Sequence, residues 1–258
     1  MIDILVSPQK PRIDPRAMRH RVGLITLATD HTSEVDYARI LVPHGVGVYG
    51  TRIPYANPVT PDTLRAMAPE LAAAAALILP DEGLDAVIYG CTSASVCIGE
   101  AAVAAAIRHG KPGVAVVTPI SATLAGLHAL GARRISVLTP YSVETSRPMA
   151  DLFDAEGFSI DRFTCLNMDD DREMARIAPE SIIELAAASV AKGSDALFIS
   201  CTAVRAAGVI AQIEASVGIP VLSSNYACAW QVLRLLGDTG AAAPGQLMQI
   251  GIARWPRP

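Results

Sequence analysis

The segment 85-DAVIYGCT-92 recurs as 195-DALFISCT-202, with the same pattern and four of the eight residues identical. Each copy consists of an aspartate, a short apolar run, a small residue and a Cys-Thr pair. Short apolar runs that lie between helical patterns are typical of strands in a parallel sheet whose two faces are covered. The two copies therefore predict two buried strands, each of which ends at a cysteine.

The repeat extends beyond these eight residues. After each cysteine come a helical pattern, a turn, a strand (113–117 or 219–224), a second helical pattern and a Leu-Gly pair at 130–131 or 236–237. This order predicts an α/β fold of two similar Rossmann-like lobes with parallel sheets, related by a pseudo-twofold axis. Ligands of open α/β sheets bind beyond the carboxyl ends of the strands, so we expect the active site in the cleft between the lobes.

The apolar and helical patterns give the expected elements and domains. Strands are predicted at 21–27, 46–53, 86–90, 113–117, 134–139, 158–165, 196–200 and 219–224. Helices are predicted at 33–41, 61–79 (interrupted at Pro69), 95–109, 121–130, 143–156, 179–192, 204–217 and 225–236. We expect the last helix to cross back to the first lobe, so that lobe comprises residues 1–120 plus 226–258 and the second comprises 121–225.

Composition excludes several classes of protein. With 258 residues, 51% hydrophobic and 18% charged, the chain is typical of a globular protein with a large core. A net charge of −4 gives no indication of a nucleic-acid partner. The apolar stretch from Leu71 is too short to span a bilayer, and the first residues lack the pattern of a secretion signal. We expect a cytoplasmic protein with no membrane or nucleic-acid partner.

The sequence also argues against cofactors. The odd number of cysteines, at positions 91, 97, 165, 201 and 228, does not suggest a disulfide framework, and no Cys-x-x-Cys pair or Cys/His cluster predicts a metal site. None of the three lysines is placed for a Schiff base at a strand end. The glycine pattern at 45–50 lies inside a strand and does not lead into a helix, so we reject it as a dinucleotide fingerprint. We therefore expect no metal and no cofactor.

Cys91 and Cys201 are the candidate catalytic residues. Buried cysteines are commonly inert, but two cysteines in matching settings at strand ends favour a shared role. A helix that begins after each cysteine would stabilise a thiolate, and Thr92, Ser93 and Thr202 would supply hydrogen bonds beside it. Two facing cysteines suit two chemistries: proton removal by one and return by the other, or nucleophilic attack by one with proton supply by the other.

Three segments resemble a known family. They are YGCTSAS at 89–95, SCTAVRA at 200–206 and GIPVLSSNYACAW at 218–230, and they are similar to the maleate isomerase and arylmalonate decarboxylase branch of the Asp/Glu racemase superfamily. The resemblance implies a cofactor-independent enzyme of two α/β lobes, with one catalytic cysteine from each. Arylmalonate decarboxylases keep only the second cysteine, so retention of Cys91 argues against decarboxylation.

The substrate-binding positions depart from that branch. In maleate isomerases two asparagines bind substrate carboxylates, whereas the matching segments here, ATDHTSE and DDDREMARIAPE, place Asp30 and Asp171 at those positions. Two carboxylates would repel a dianion such as maleate and favour a substrate with a cationic nitrogen. Tyr141, in TPYSVETS, matches the family's carboxylate-binding tyrosine. The whole chain resembles most closely the ectoine-utilisation racemase-like proteins called EutA, whose proposed substrates carry an amidinium and a carboxylate.

Three functions are carried forward. The first is a racemase or epimerase in which Cys91 and Cys201 act as acid and base on an amino acid or ectoine-derived zwitterion. The second is a maleate-type isomerase in which Cys91 attacks the double bond and Cys201 supplies the proton. The third is a binding protein without turnover.

The remaining expectations concern the site and the assembly. The substrate-binding residues expected in either enzyme are Asp30, Thr92, Ser93, Tyr141, Asp171, Thr202 and Asn225. His31 is interpreted as a solvent-facing loop residue beside the site. For Arg205 three roles stay open: lowering the pKa of the Cys201 thiol, binding a substrate carboxylate, or facing solvent. We expect a homodimer or a higher homo-oligomer, because closed homo-oligomers are common among soluble enzymes.

Overall fold

Eight strands form two parallel four-stranded sheets. The computed structural model describes residues 2–55, 57–240 and 243–251. The first sheet contains β1 (His20–Leu27), β2 (Val46–Ile53), β3 (Ala86–Tyr89) and β4 (Ala115–Val117). The second contains β5 (Arg134–Thr139), β6 (Ser159–Cys165), β7 (Ala196–Ile199) and β8 (Val221–Ser223). The strand orders, β2-β1-β3-β4 and β6-β5-β7-β8, are identical, which confirms the two similar α/β lobes.

Eleven α-helices cover the described parts of the sheets. They are α1 (Ser33–Leu41), α2 (Pro61–Arg65), α3 (Glu70–Leu77), α4 (Thr92–Ile98), α5 (Glu100–Gly110), α6 (Pro119–Ala129), α7 (Val143–Ala155), α8 (Asp171–Met174), α9 (Pro179–Ser189), α10 (Ile210–Val217) and α11 (Ser224–Leu235). Among the described residues no helix combines the length and the apolar character that a membrane crossing needs.

The last helix of each half packs against the other lobe. α6 follows β4 of the first sheet but contacts β8 and α11, and α11 follows β8 of the second sheet but contacts β4 and α1. Gly126 allows the close approach of α6, since a Cβ at this position would lie 2.8 Å from Leu222 Cδ2 in β8. The expected boundaries at 120/121 and 225/226 stay a prediction, and the end of the first domain, 252–258, lies outside the described residues.

Two helix predictions need correction, and one short helix was missed. The helix predicted over 95–109 is two helices, α4 and α5, separated at Gly99, whose φ of +89° breaks the helix. The helix predicted over 204–217 begins only at Ile210, and residues 202–209 form turns. Cys201 therefore does not stand directly before a helix, and only Cys91 does. The short helix α8 was not predicted.

Candidate active site

The two cysteines lie beyond the ends of equivalent strands. Cys91 comes two residues after β3 and Cys201 two residues after β7, and each is only 4% exposed. Each strand is flanked by its lobe's first strand, which places the segments after β1 and β5 next to the cysteines. Thr202, next to Cys201, donates a 3.0 Å hydrogen bond to the carbonyl of Gly90, next to Cys91, so the two cysteines share one site.

Cys91 is the N-cap residue of α4 and has an ordinary extended backbone. Burial raises the pKa of its thiol to about 12, and the charge of Asp171 raises it as well. The Ala94 N–H and the hydroxyl of Ser93, whose Oγ lies 3.9 Å from Sγ, partly offset these effects. In the absence of substrate, Cys91 is therefore a neutral thiol at physiological pH.

Cys201 has a left-handed backbone, with a φ of +89°. Burial raises the pKa of its thiol, and the Asp171 carboxylate raises it further. Hydrogen bonds from the Tyr141 side chain and the Ala203 N–H act in the opposite direction. In the absence of substrate, Cys201 is also a neutral thiol. The hydrogen bonds to its sulfur come from a turn and a tyrosine, whereas those to Cys91 come from the start of a helix.

Asp171 is the charged group that acts on both thiols. Its side chain is 6% exposed and lies at the start of α8, where the Thr29 hydroxyl donates a 2.7 Å hydrogen bond to Oδ2. Burial raises the pKa of this carboxyl group, and the Thr29 hydrogen bond limits that rise. The structure therefore places the predicted residue Asp171 beside the cysteines.

Tyr141 and Ser93 complete the surroundings of the sulfurs. The Tyr141 side chain is buried and interacts with Cys201 and with the hydroxyl of Ser93. Burial raises the pKa of Tyr141 strongly, and the neighbouring Cys201 and Cys91 add to this. Tyr141 is therefore a neutral hydrogen-bond donor, as the binding of a carboxylate requires.

Three other predicted binding residues use their polar groups within the chain. Thr92 Oγ1 lies 2.8 Å from Ser224 Oγ, and Thr202 Oγ1 donates to the Gly90 carbonyl at 3.0 Å. Asn225 donates one amide hydrogen to Asp36 at 3.0 Å and the other to the Thr202 carbonyl at 2.9 Å. These residues lie next to the cysteines, where they tie the first lobe to the second.

Asp30 has a local structural role. Its Oδ1 accepts hydrogen bonds from the backbone N–H groups of Thr32 and Ser33, both at 2.8 Å, and Oδ2 accepts from the Ser33 hydroxyl at 2.7 Å. These bonds satisfy amides at the start of α1 that have no partner within the helix. Asp30 is buried near Asp171, but its carboxylate is already engaged.

The comparisons with known proteins agree with the fold of two α/β lobes. The model of one family, arylmalonate decarboxylase, matches residues 57–248. The chain belongs to the arylmalonate decarboxylase family. Among family relatives, maleate isomerase from Nocardia farcinica is 29% identical over 236 residues, which cover 87% of this chain and 93% of that protein. Arylmalonate decarboxylase from Bordetella bronchiseptica is 31% identical over 147 residues, covering 56% of this chain and 61% of that protein.

A solved structure of the same family extends the comparison. A mutant of the Nocardia farcinica maleate cis-trans isomerase with a covalently bound succinylcysteine intermediate is 27% identical. It superimposes with a TM-score of 0.81 over 89% of this chain and 98% of that one. The resemblance to the EutA proteins is not tested by these comparisons.

Two site residues of this family member were missed by the sequence analysis. Tyr55 follows β2, and its hydroxyl is buried without a hydrogen-bond partner in the described part of the chain. Burial raises its pKa, with Asp171, Cys91 and Cys201 contributing, so the hydroxyl faces the site. Thr29, which follows β1, donates to Asp171. Both come after strands, so the carboxyl-end rule used for the cysteines would have found them.

The arrangement is suited to proton transfer by this member of the family. Two neutral thiols, a carboxyl group and two tyrosine hydroxyls, those of Tyr55 and Tyr141, surround one site. Within the described residues, no group of three or more histidine, cysteine or acidic side chains is arranged to hold a metal ion. The expectation of catalysis without a cofactor stays a prediction.

Proposed function

We propose that the protein is a cysteine-dependent isomerase that racemises or epimerises a small carboxylate bearing a cationic nitrogen. Cys91 and Cys201 are the acid and the base. One thiolate removes the proton from the carbon next to the carboxylate, and the other thiol returns a proton to the opposite face. The thiolate that took the proton becomes a neutral thiol, and the thiol that gave a proton becomes the thiolate. Charge and protons therefore balance in either direction.

The position of Asp171 carries this proposal. Its carboxylate raises the pKa of both cysteines and therefore opposes formation of a thiolate. A cationic nitrogen placed beside Asp171 would offset that charge and lower the pKa of the neighbouring thiols. The substrate itself would thus activate the base. A dianion would have the opposite effect, because it would add negative charge to a site that already contains a buried carboxyl group.

The other polar groups have separate tasks. The substrate carboxylate binds Ser93 and Tyr141, whose hydroxyls lie beside the two thiols. The buried hydroxyl of Tyr55 supplies a further hydrogen bond to the substrate. Ectoine-derived cyclic amidines and diamino acids have the required combination of a carboxylate and a cation, and they are the substrates we propose.

A second candidate function is that of a maleate-type isomerase. In that reaction the Cys91 thiolate adds to one carbon of the double bond while Cys201 supplies a proton to the other. After rotation about the resulting single bond, Cys201 withdraws the proton, the bond to the Cys91 sulfur breaks and the double bond forms again. The observation that favours it is the family itself, because the relatives include maleate isomerases and a covalent succinylcysteine intermediate has been seen in one of them.

The deciding experiment is proton exchange in heavy water followed by NMR. The substrates offered are ectoine, hydroxyectoine, their ring-opened diaminobutyrate derivatives, aspartate, glutamate and maleate, with Cys91→Ala and Cys201→Ala as controls. Deuterium should enter the α-carbon of a substrate with a cationic nitrogen, and both cysteine variants should lose this exchange. Asp171→Asn should weaken the binding of that substrate, because the charge opposite the cation is gone.

The other outcomes separate the alternatives. Conversion of maleate without exchange at any cationic substrate would contradict the role given to Asp171 and establish the second candidate. Binding of a zwitterion that survives either cysteine substitution, with no turnover, would contradict both enzymatic functions in favour of a binding protein.

A further inference from the structure

An open cavity of about 640 Å³ lies outside the cysteine pair. It is lined by His31, Thr32, Asp170, Arg172, Ala175, Arg176 and Arg205. Three guanidinium groups therefore face one carboxylate, in a chain whose overall net charge is −4. This local excess of positive charge favours the binding of anions at one place on a chain whose net charge is negative.

The positive charge of the cavity is only partly neutralised. Arg172 is paired with Asp170, with Nε 2.9 Å from Oδ1 and Nη2 2.6 Å from Oδ2. Arg176 makes only a loose pair on the surface, 3.9 Å from Glu173. Arg205 donates to the carbonyl of Ile177 at 2.8 Å, which orients its guanidinium without cancelling its charge. Arg176 and Arg205 are thus the groups available to a carboxylate.

The floor of the cavity adjoins the reacting groups. Asp170 immediately precedes Asp171, and Thr32 donates a 2.7 Å hydrogen bond to the carbonyl of Ala203, whose N–H supports the Cys201 sulfur. The lining also comes from both sides of the cleft, because His31 and Thr32 follow β1 while the arginines follow β6 and β7. The cavity is therefore at the entrance between the lobes.

We propose that this cavity is an anion-binding vestibule, in which Arg176 and Arg205 capture the carboxylate of the incoming substrate. The arginines hold the carboxylate outside while Asp171 attracts the cationic nitrogen inward, so a zwitterion enters with its nitrogen first. The inference deepens the proposed function and rests on it in one respect, that the substrate carries a carboxylate.

The test compares two alkylating reagents of similar size and different charge, iodoacetate and iodoacetamide. Their rates at each cysteine are measured at pH 9 by peptide mass spectrometry, in low and in high salt. The variants are Arg176→Gln, Arg205→Gln and the double variant. Arg162→Gln is the matched control, since this exposed arginine also donates to a backbone carbonyl, that of Ala188 at 2.8 Å, on β6 away from the cavity.

At Cys91 and Cys201 the ratio of the iodoacetate rate to the iodoacetamide rate should fall about threefold in each single variant and roughly tenfold in the double variant. High salt should produce a similar fall in the unaltered protein. Cys165, on β6, should keep its ratio in all variants, and Arg162→Gln should change nothing at Cys91 or Cys201.

Three outcomes would overturn the proposal: an unchanged ratio in the double variant, an equal fall at Cys165, or a pair of cysteines that neither reagent reaches. This readout needs no turnover, so it is independent of the exchange experiment. If exchange is found, the double variant should lower kcat/KM of the exchanging substrate and leave kcat unchanged. If no substrate exchanges its proton but the ratio of the iodoacetate rate to the iodoacetamide rate still falls in the arginine variants, the proposed function is contradicted and the anion-binding vestibule is not.

Discussion

At the scale of single residues, Cys201 combines a reactive side chain with an unfavourable backbone. Its φ of +89° lies in a region that residues with a Cβ seldom adopt and that glycine adopts readily. Such a conformation costs on the order of 1–3 kcal/mol, and it persists at functional sites because the surrounding structure enforces it. The backbone conformation that places a sulfur at this point therefore lowers the free energy of unfolding.

Substitutions at the two cysteines separate the effect of backbone strain on stability from the effect of losing the sulfur. We expect Cys201→Gly to be more stable than Cys201→Ala by about 1 kcal/mol, because glycine relieves the strain, although both variants lose the sulfur. Chemical denaturation measures the difference. At Cys91, whose φ is −148°, the order should reverse, with alanine the more stable. The same order at both positions would contradict strain at Cys201.

The roles of single residues were only partly predictable. The repeat identified both cysteines, because strand ends and apolar runs are local features of a sequence. The exact roles of the two aspartates were not accessible in this way. Asp171 faces both thiols while Asp30 binds amides of α1, and the difference depends on where α8 and α1 begin. Tyr55 lies outside the repeat and was missed, although it too follows a strand and the rule that identified the cysteines also applies to it.

At the scale of elements, α11 holds the turn that carries Cys201. Asn225, at its start, bonds to Asp36 of α1 and to the carbonyl of Thr202. Burial raises the pKa of Asp36, and the Asn225 amide lowers it again. One side chain therefore joins a helix of the first lobe to the turn of the second and supports a buried carboxylate.

Removing this amide should destabilise the protein in a pH-dependent way. In Asn225→Ala the buried Asp36 carboxylate loses a donor, which should cost about 2 kcal/mol of unfolding free energy at pH 7. The pKa of Asp36 in the folded state, already above its ordinary value, should rise further. Because a raised carboxyl pKa removes stability as pH increases through it, the loss should be smaller at pH 4 than at pH 7.

Denaturation of the variant and the unaltered protein at the two pH values measures this effect. Asp36→Ala and the double variant provide the control, since the pH dependence of the Asn225 substitution requires the carboxylate. An equal loss at both pH values, or one that persists without Asp36, would refute the role of this pair.

The element boundaries show why part of the fold escaped prediction. Residues 202–209, TAVRAAGV, are rich in alanine and read as the start of a helix, but they form turns. The carbonyls of Thr202 and Ala203, which would accept helical hydrogen bonds, instead accept from Asn225 and Thr32. Both donors are distant in sequence, so no local pattern reveals them. The strands were predicted closely, because buried parallel strands are marked by their own apolar runs.

At the scale of the whole molecule, hydroxyl contacts beside the cysteines hold the lobes together. Thr202 bonds to the Gly90 carbonyl across the cleft, and Thr92 contacts Ser224 at the start of α11. Both cysteines are only 4% exposed, so the site is closed to bulk solvent in this conformation. These contacts therefore stabilise the closed state of the site.

Weakening one contact should make the site more accessible. Thr202→Val removes one hydrogen bond worth about 1 kcal/mol, so alkylation of Cys91 by iodoacetamide should accelerate up to roughly fivefold. Thr123→Val is the matched control, because the Thr123 hydroxyl bonds to the Pro119 carbonyl within α6 and does not cross the cleft. Equal acceleration in both variants would mean that the contact does not control opening.

The reciprocal packing of α6 and α11 makes each half of the chain depend on the other. Each half sends its last helix onto the other, so neither half on its own would cover its apolar faces. A chain of half this length could make the same contacts only with an identical copy of itself. The two halves are thus related to each other as the subunits of a symmetric dimer would be, but in one polypeptide, in which Cys91 and Cys201 have different neighbours.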